Sequence, residues 1–221
     1  MHRIRLGLLA AALLSTPIAA LAADATIPHE HKGVLPAYTG MPSIPTLTAE
    51  DLAILDTGKN VLKQTKDGKG SGGKGIAVQD IHADPTTIWS RITSYSNYPK
   101  WVKGVYECET YSNTADHIKT RMVIGGMGVK KEYFIDHKYT PGSGYMTWTL
   151  DYSRNSDFDD TVGFWRVEAL PGKPGWSRVY YSVQVKLKGW VPGFIQAMLT
   201  KDGLVQATEW VKRESEKAAG H

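Results

Sequence analysis

Cysteine and phenylalanine are both scarce in this sequence. Cys108 is the single cysteine, so no disulfide can form within the chain and the fold must be held together by its core. Four Phe stand beside seven Trp and eleven Tyr, so most of the large rings carry a polar group. Such rings suit a semi-polar cavity or a wet interface better than a dry core, although they also fill small β-rich domains.

A strong charge of either sign is also absent. The 26 Lys and Arg side chains exceed the 22 Asp and Glu by four. Residues 1–22 contain two of the basic side chains, Arg3 and Arg5, and no acid, so the rest of the chain has 24 basic against 22 acidic groups. The basic residues are scattered rather than clustered, and no nucleic-acid partner is expected.

Long hydrophobic runs are missing except at the N-terminus, where the run is short. Residues 6–14 are apolar and follow basic residues, and Pro17 ends the run before the small-residue segment at 20–22. This order is typical of a secretory signal peptide, and the run is too short for a stable membrane span. We expect residues 1–22 to be a signal peptide and the protein to be exported in soluble form to the periplasm, with secretion as the alternative.

The segment that follows, residues 23–46, is rich in Pro, Gly and His and has neither helical nor strand periodicity. We expect an extended N-terminal arm there. His29 and His31 flank Glu30 within this arm. A histidine pair in such a segment is usually incidental, so no metal ion is expected.

A short helix is expected after the arm. Thr48 is a candidate N-cap, and Leu52 and Leu55 supply an apolar stripe, with Leu62 as a further candidate for that stripe. Residues 66–74 are rich in Gly and Lys and are expected to form a linker.

The domain is expected to span residues 47–218. After the short helix and the linker, the first strand of its sheet is expected at residues 76–81. Asp84 followed by Pro85 predicts the start of a short helix, and a second short helix or turn is expected around Pro99. Turn residues then separate six further strands, which predicts antiparallel neighbours. The six strands are expected at residues 105–111, 117–124, 130–139, 144–151, 161–169 and 177–187.

A long amphipathic helix is expected at the C-terminal end. It starts at Pro192 and can continue to Ala218, with Phe194 and Met198 among its apolar positions. The alternation along the strands assigns apolar and aromatic side chains to one face of the sheet and charged ones to the other. The face expected to meet water carries Lys119, Arg121, Arg166, Glu168, Arg178, Gln184 and Lys186.

Four segments of the chain resemble a known superfamily. They are ADPTTIW at residues 83–89, SYSNYPKWV at 94–102, GFWRV at 163–167 and WVPGF at 190–194. With these segments the chain resembles the START-like (SRPBCC) proteins, which include polyketide cyclases, dehydratases and lipid-transfer domains. The resemblance covers residues 50–215 and implies an α+β helix-grip fold. In that fold, a seven-stranded curved antiparallel sheet wraps on the long C-terminal helix, and two short helices follow the first strand.

The resemblance also implies a cavity between the sheet and the C-terminal helix. Such a cavity takes up a lipid, sterol, isoprenoid or quinone, so the protein is expected to bind and transfer a hydrophobic small molecule without a cofactor. Whether it also makes transient contact with a membrane surface or an export partner stays open. The predicted ligand-binding residues are Trp101, Met122, Ile124, Tyr133, Met146, Trp148, Leu150, Tyr152, Trp165, Tyr181, Phe194 and Met198.

An enzyme of the cyclase, dehydratase or hydrolase type is the alternative, because this fold carries both binding proteins and enzymes. Polar candidates are His82, His137, Asp151, Arg154, Asp157, Asp159 and Asp160. The last three lie in a polar loop, where solvation is expected to leave them ordinary acids. His137 can point to either face, and two neighbouring Glu side chains are expected to raise the pKa of Cys108. No catalytic residue is assigned.

Overall fold

The structure is a computed structural model that describes residues 22–66, 73–126, 128–188 and 201–221. The expected signal peptide lies outside these residues except for Ala22, and so do the start of the C-terminal helix, Phe194 and Met198. No helix among the described residues is both long and apolar enough to cross a membrane. The proposed division of the chain at residues 22 and 46 stays a prediction.

The first helix, α1 (Ala49–Asp56), begins at the expected N-cap. The Thr48 hydroxyl accepts from the Asp51 N–H, and the Asp51 carboxylate accepts from the Thr48 N–H at 2.7 Å. This reciprocal capping box satisfies two backbone donors at the start of the helix.

The helix ends before Leu62, so the assignment of Leu62 to its stripe is wrong. Gly58 adopts a φ of +78°, a left-handed conformation that turns the chain out of the helix. Leu62 lies instead in a strand, β1 (Val61–Lys66), which pairs antiparallel with β2 (Gly73–Ile81). The sheet therefore has eight strands rather than the seven expected.

The remaining elements follow the order that the sequence predicts. A single antiparallel sheet contains all eight strands in the order β1-β2-β8-β7-β6-β5-β4-β3. Two short helices follow β2, as expected, and a 3-10 turn at Tyr95–Asn97 lies between them. The elements are α2 (Pro85–Ile92), α3 (Tyr98–Trp101), β3 (Val105–Asn113), β4 (His117–Gly126), β5 (Val129–Tyr139), β6 (Tyr145–Leu150), β7 (Phe158–Ala169), β8 (Ser177–Leu187) and α4 (Lys201–Ala219).

One face of the sheet, which we call the inner face, packs against α2 and α4. Helix α2 buries Ile88 and Ile92 in this core, and α4 contributes Trp210 and Val211. The described part of α4 packs mainly on α2 and β2. Most of the inner face, from β3 to β7, therefore lies away from the backbone of the described part of α4.

The opposite, outer face is covered by the N-terminal arm and α1. The Tyr38 ring packs edge-on against Phe164 at 5.2 Å, and Ile44 and Leu47 join the same cluster. Phe164 is only 1% exposed. The expectation that this face meets water is therefore wrong where the arm folds back across β2, β8 and β7, whereas Lys186 of β8 is exposed as expected. Arg166, expected in water, donates from Nη1 to the Pro42 carbonyl at 2.9 Å.

Candidate ligand-binding site

The inner face carries most of the predicted ligand-binding residues. The register of β4 to β8 places their side chains on one surface, since residues directly opposite in an antiparallel pair point to the same side. Within this inner cluster, Met122, Ile124, Tyr133, Met146, Trp148, Leu150 and Trp165 are buried. Tyr181 and Trp101 are partly buried and pack against it. That these residues bind a ligand stays a prediction.

Aromatic rings link the sheet to the C-terminal helix across this face. The Trp165 ring lies 4.3 Å from Tyr181, which in turn lies 6.0 Å from Trp148. Trp210 of α4 meets Trp165 edge-on at 6.4 Å. Trp210 is not among the apolar positions that the sequence predicts for this helix. It follows Ala207 by three positions and adjoins Val211, which widens the apolar face in the way that a globular helix usually requires.

Trp148 lies directly on the backbone of the neighbouring strand. Gly163 is its partner in the register of β6 and β7. A Cβ atom at Gly163 would lie 2.5 Å from Trp148 Cε2 and nearer still to Cζ2, so no larger residue fits beneath the indole. The glycine of the GFWRV segment therefore has a packing role: it seats a tryptophan in the wall of the site.

Tyr152 lies apart from this wall. It follows β6 rather than belonging to it, and its ring packs at the margin of the inner cluster. Its hydroxyl donates to Asp160 Oδ1 at 2.8 Å, close to Gly33 of the arm. Tyr152 thus holds the arm contact, a position that the alternation of the strand could not reveal.

Trp101 lines a second feature, an open pocket of about 800 Å³ at the end of the inner face. The pocket lies between α3, the turn into β3 and α4. Lys100 and Lys103 lie on its rim, beside Tyr106, which is 49% exposed. The Arg213 side chain ties α4 to this rim by donating to the Trp101 carbonyl at 2.9 Å.

His137 points inward, which the sequence left open. Its Nδ1 lies 3.0 Å from the Ile118 carbonyl oxygen, and its ring packs 4.9 Å from Tyr95 and 6.1 Å from Trp148. Burial lowers the pKa of His137 to about 4, because the charged imidazolium would lose its hydration. The side chain is therefore neutral at pH 7.

Two more polar groups share the inner face and were not predicted. Thr120 is fully buried, and its hydroxyl has no hydrogen-bond partner among the described residues. Within the same residues, the Tyr95 hydroxyl donates only to the sulfur of Met146, at 3.6 Å, and its burial raises its pKa. The sequence signals for them are weak: Thr120 shares the strand parity of Met122, and Tyr95 follows the first short helix.

The acidic candidates lie elsewhere and are held by other partners. Asp151 accepts from the Tyr111 hydroxyl at 2.7 Å, and Asp157 accepts from the Glu132 N–H at 2.8 Å. Asp160 is completely buried, so the expectation that this loop leaves its acids solvated is wrong for it. The arm folds over the loop and supplies two donors to Asp160, the N–H groups of Val34 and Leu35.

The other polar candidates also lie away from the inner face, whereas Cys108 lies on it, opposite Met122. His31 contacts Asp159 at 3.1 Å, and His29 contacts the carbonyl of the same residue. His82 stacks between Trp176 and His221, and Arg154 lies over the Tyr111 ring. Burial raises the pKa of Cys108 to about 12, with Glu109 adding to the effect. Within the described ranges, no group of three or more potential ligands is arranged for a metal ion.

The buried His137 predicts a pH-dependent stability. An unfolded His137 takes up a proton near pH 6.5, whereas the folded one resists it down to about pH 4. Stability is therefore expected to fall as pH drops through this window, by up to about 3 kcal/mol, and the His137 effect levels off below it. His137→Phe should make the free energy of unfolding depend less on pH. A smaller dependence should remain because burial also lowers the pKa of His29. Urea unfolding between pH 7.5 and 4.5 measures this, and equal slopes in both proteins would contradict a buried neutral His137.

A comparison with protein families finds one match. The model described as polyketide cyclase / dehydrase and lipid transport matches residues 81–204, more than half of the chain. This range runs from the end of β2 into α4 and so contains the whole inner face from β3 to β8. No curated protein matches the chain.

Solved structures share the architecture at low sequence identity. A START superfamily protein from Mycobacterium smegmatis is 16% identical with a TM-score of 0.54, and the match covers 66% of this chain and 99% of that one. A STAR-related lipid transfer protein from Xanthomonas axonopodis is 11% identical with a TM-score of 0.53, and the match covers 70% of this chain and 98% of that one. Human StAR-related lipid transfer protein 5 is 11% identical with a TM-score of 0.54, and the match covers 73% of this chain and 84% of that one. These similarities confirm the predicted helix-grip fold.

Proposed function

Because this chain belongs to the polyketide cyclase / dehydrase and lipid transport family, we propose that it binds and transfers a hydrophobic small molecule of the lipid, sterol, isoprenoid or quinone class. One observation carries the proposal. The inner face is a continuous apolar and aromatic surface from β3 to β8, while the described part of α4 packs mainly on α2 and β2 at one side of it. We propose that the ligand lies against the remaining surface; because the side chains there are buried, its uptake must uncover them.

The composition of this surface suits an irregular apolar guest. Met122 and Met146 have flexible, polarisable side chains that adapt to different shapes. Tyr133, Tyr181 and Trp148 add large rings with one polar group each. A mainly apolar wall with few polar groups is the usual lining of a small-molecule site.

We also propose that the protein is exported, on the signal-peptide pattern of residues 1–22. The backbones of Asp24 and Asn155 exchange two hydrogen bonds at 2.9 Å, which would hold the new N-terminus at Ala23 beside the domain. Cleavage after Ala22 would remove the hydrogen bond that the Asn155 side chain donates to the Ala22 carbonyl. A periplasmic carrier would move its ligand through water between membranes.

The rim pocket suits the loading of such a ligand from a membrane surface. Lys100, Lys103 and Lys130 are exposed around it, and Lys130 lies 4.7 Å from the centre of the exposed Tyr106 ring. Cationic side chains beside an amphipathic ring favour the interface of an anionic bilayer. We propose this rim as the surface that meets the membrane.

Extraction of the purified protein with organic solvent, followed by mass spectrometry, tests the carrier function. We expect one class of intact apolar molecule in near-stoichiometric amount. Trp165→Ala, in the wall, should lower the recovered amount several-fold, whereas Trp176→Ala, a half-buried tryptophan stacked on His82, should not. Recovery of no apolar molecule from protein that also fails to take up added lipid would reject the function.

An enzyme of the cyclase, dehydratase or hydrolase type is the second candidate, and the inward position of His137 favours it. A neutral imidazole in an apolar site can accept a proton from a substrate. The ring is oriented by the Ile118 carbonyl. The four carboxylates that are buried among the described residues, Asp51, Asp80, Asp151 and Asp160, bond to other groups. Conversion of the extracted ligand on prolonged incubation, lost in His137→Gln, would favour the enzyme over the carrier.

A further inference from the structure

We propose that His137, Thr120 and Tyr95 form a hydroxyl-binding site on the inner face, and that the ligand is accordingly a neutral apolar alcohol. The inference rests on the proposed function and names the chemical class of the ligand. It follows from three polar groups whose hydrogen-bonding capacity the protein itself leaves unused, and which lie together in an otherwise apolar wall.

The tautomer of His137 is set by its backbone partner. The Ile118 carbonyl oxygen can only accept, so the proton of the neutral ring lies on Nδ1, 3.0 Å away. The other ring nitrogen, Nε2, then has a lone pair and must accept. Among the described residues no donor reaches it. His137 thus presents a fixed acceptor that can bind only a group carrying a proton.

Thr120 lies next to this acceptor on the same face. Ile118 pairs with His137 and Thr120 with Ile135, so Thr120 and His137 are diagonal neighbours across β4 and β5. The Thr120 hydroxyl is completely buried and makes no hydrogen bond to any residue that the structure describes. Native proteins rarely leave such a group without a partner, and each instance calls for an explanation. A ligand oxygen beside His137 supplies one.

Tyr95 completes the site from the opposite side. Its ring lies 4.9 Å from that of His137, and in the described part of the chain its hydroxyl donates only to the Met146 sulfur, at 3.6 Å. A thioether is a weak acceptor, so this proton can turn to a better one. A ligand hydroxyl can pair with all three groups: it donates to Nε2 of His137 and, through its two lone pairs, accepts from Tyr95 and Thr120.

The same geometry disfavours other ligand classes. A ketone has no proton for Nε2, and a carboxylate would bring negative charge against its lone pair. No Lys or Arg is buried among the described residues, so the inner face offers a carboxylate no buried cation there. A hydrocarbon leaves the three groups unpaired. Unlike these three classes, an alcohol combines the donor that Nε2 needs with an acceptor for the two hydroxyls.

Binding of 1-naphthol and naphthalene to the intact protein, depleted of co-purified ligand, tests the inference. The two probes share one ring system and differ by one hydroxyl. We expect wild type to bind 1-naphthol about tenfold more tightly in equilibrium dialysis at pH 7, as one buried hydrogen bond allows. His137→Phe should keep the affinity for naphthalene and lose most of the preference.

Thr120→Val provides a second variant that should fold, because it replaces an unpaired buried hydroxyl with a methyl group of the same shape. It should reduce the preference for 1-naphthol, whereas Thr110→Val, at an exposed position of β3, should leave it unchanged. Equal binding of both probes by wild type would overturn the hydroxyl site, and so would a preference that survives His137→Phe and Thr120→Val. Binding of neither probe would instead count against the proposed function.

Discussion

Gly163→Ala is expected to lower the free energy of unfolding by about 3 kcal/mol. This is the upper end of the usual cost of overpacking a filled core. The added Cβ atom would overlap the Trp148 indole and the Ser182 carbonyl oxygen at the same time. Neither neighbour can move freely, because the carbonyl belongs to β8 and the indole packs between His137 and Tyr181. Urea unfolding measured against wild type gives the loss directly.

Two further variants separate this clash from a general sensitivity to alanine. Gly40→Ala, in the arm, adds a Cβ atom that meets nothing within 4 Å, and its effect should stay within about 0.5 kcal/mol. Gly163→Ala combined with Trp148→Leu should lose less than the sum of the two single changes, because the smaller side chain removes one of the overlaps. A Gly163→Ala protein as stable as Gly40→Ala would mean that the indole does not lie on β7.

The strands of the domain were predictable because their signals are local. Turn residues and alternation gave bounds for β8 that match the structure, and bounds for β3 to β6 within two residues. The caps at Thr48 and Asp84 were also predicted, since each accepts from an N–H only three residues away. Where the partners of a residue lie within one turn or one hairpin, the sequence is enough.

The cover of the outer face was missed because its contacts span the chain. His29 meets the carbonyl of Asp159, 130 residues away, and Arg166 meets Pro42 across 124 residues. One signal was present. Phe164 and Tyr180 alternate with inward residues in strands whose other face was assigned to water, and apolar side chains on both faces of a strand indicate that both are covered.

The candidate site was predicted in its apolar part and incomplete in its polar part. Alternation alone brings Met146, Trp148 and Trp165 to one face, so those residues could be named together. The direction of His137 depends on the register with β4, and the significance of Thr120 depends on the absence of a partner. Neither can be read from a single strand, because both depend on the pairing of strands in space.

Asp160→Asn is expected to release the N-terminal arm, with a loss of stability of about 3 kcal/mol or more. Asp160 is completely buried and accepts four hydrogen bonds. Oδ2 accepts from the consecutive N–H groups of Val34 and Leu35, both at 2.7 Å. Oδ1 accepts from the Tyr152 hydroxyl at 2.8 Å and the Thr161 N–H at 2.9 Å. All four partners are donors, so an amide nitrogen would face a donor in either orientation.

In Asp160→Asn, loosening of the arm and exposure of the outer face of the sheet should occur together, and the two can be measured separately. Release of residues 22–47 would expose Phe164 and Tyr180, so limited proteolysis should cut the arm faster and a hydrophobic dye should bind the freed face. Asp159→Asn is the matched control: its carboxylate contacts His31 and Lys186 at the surface, where an ion pair contributes about 1 kcal/mol or less. If both variants behave alike, the arm is held by its apolar contacts, with Tyr38 on Phe164 foremost, rather than by the buried carboxylate.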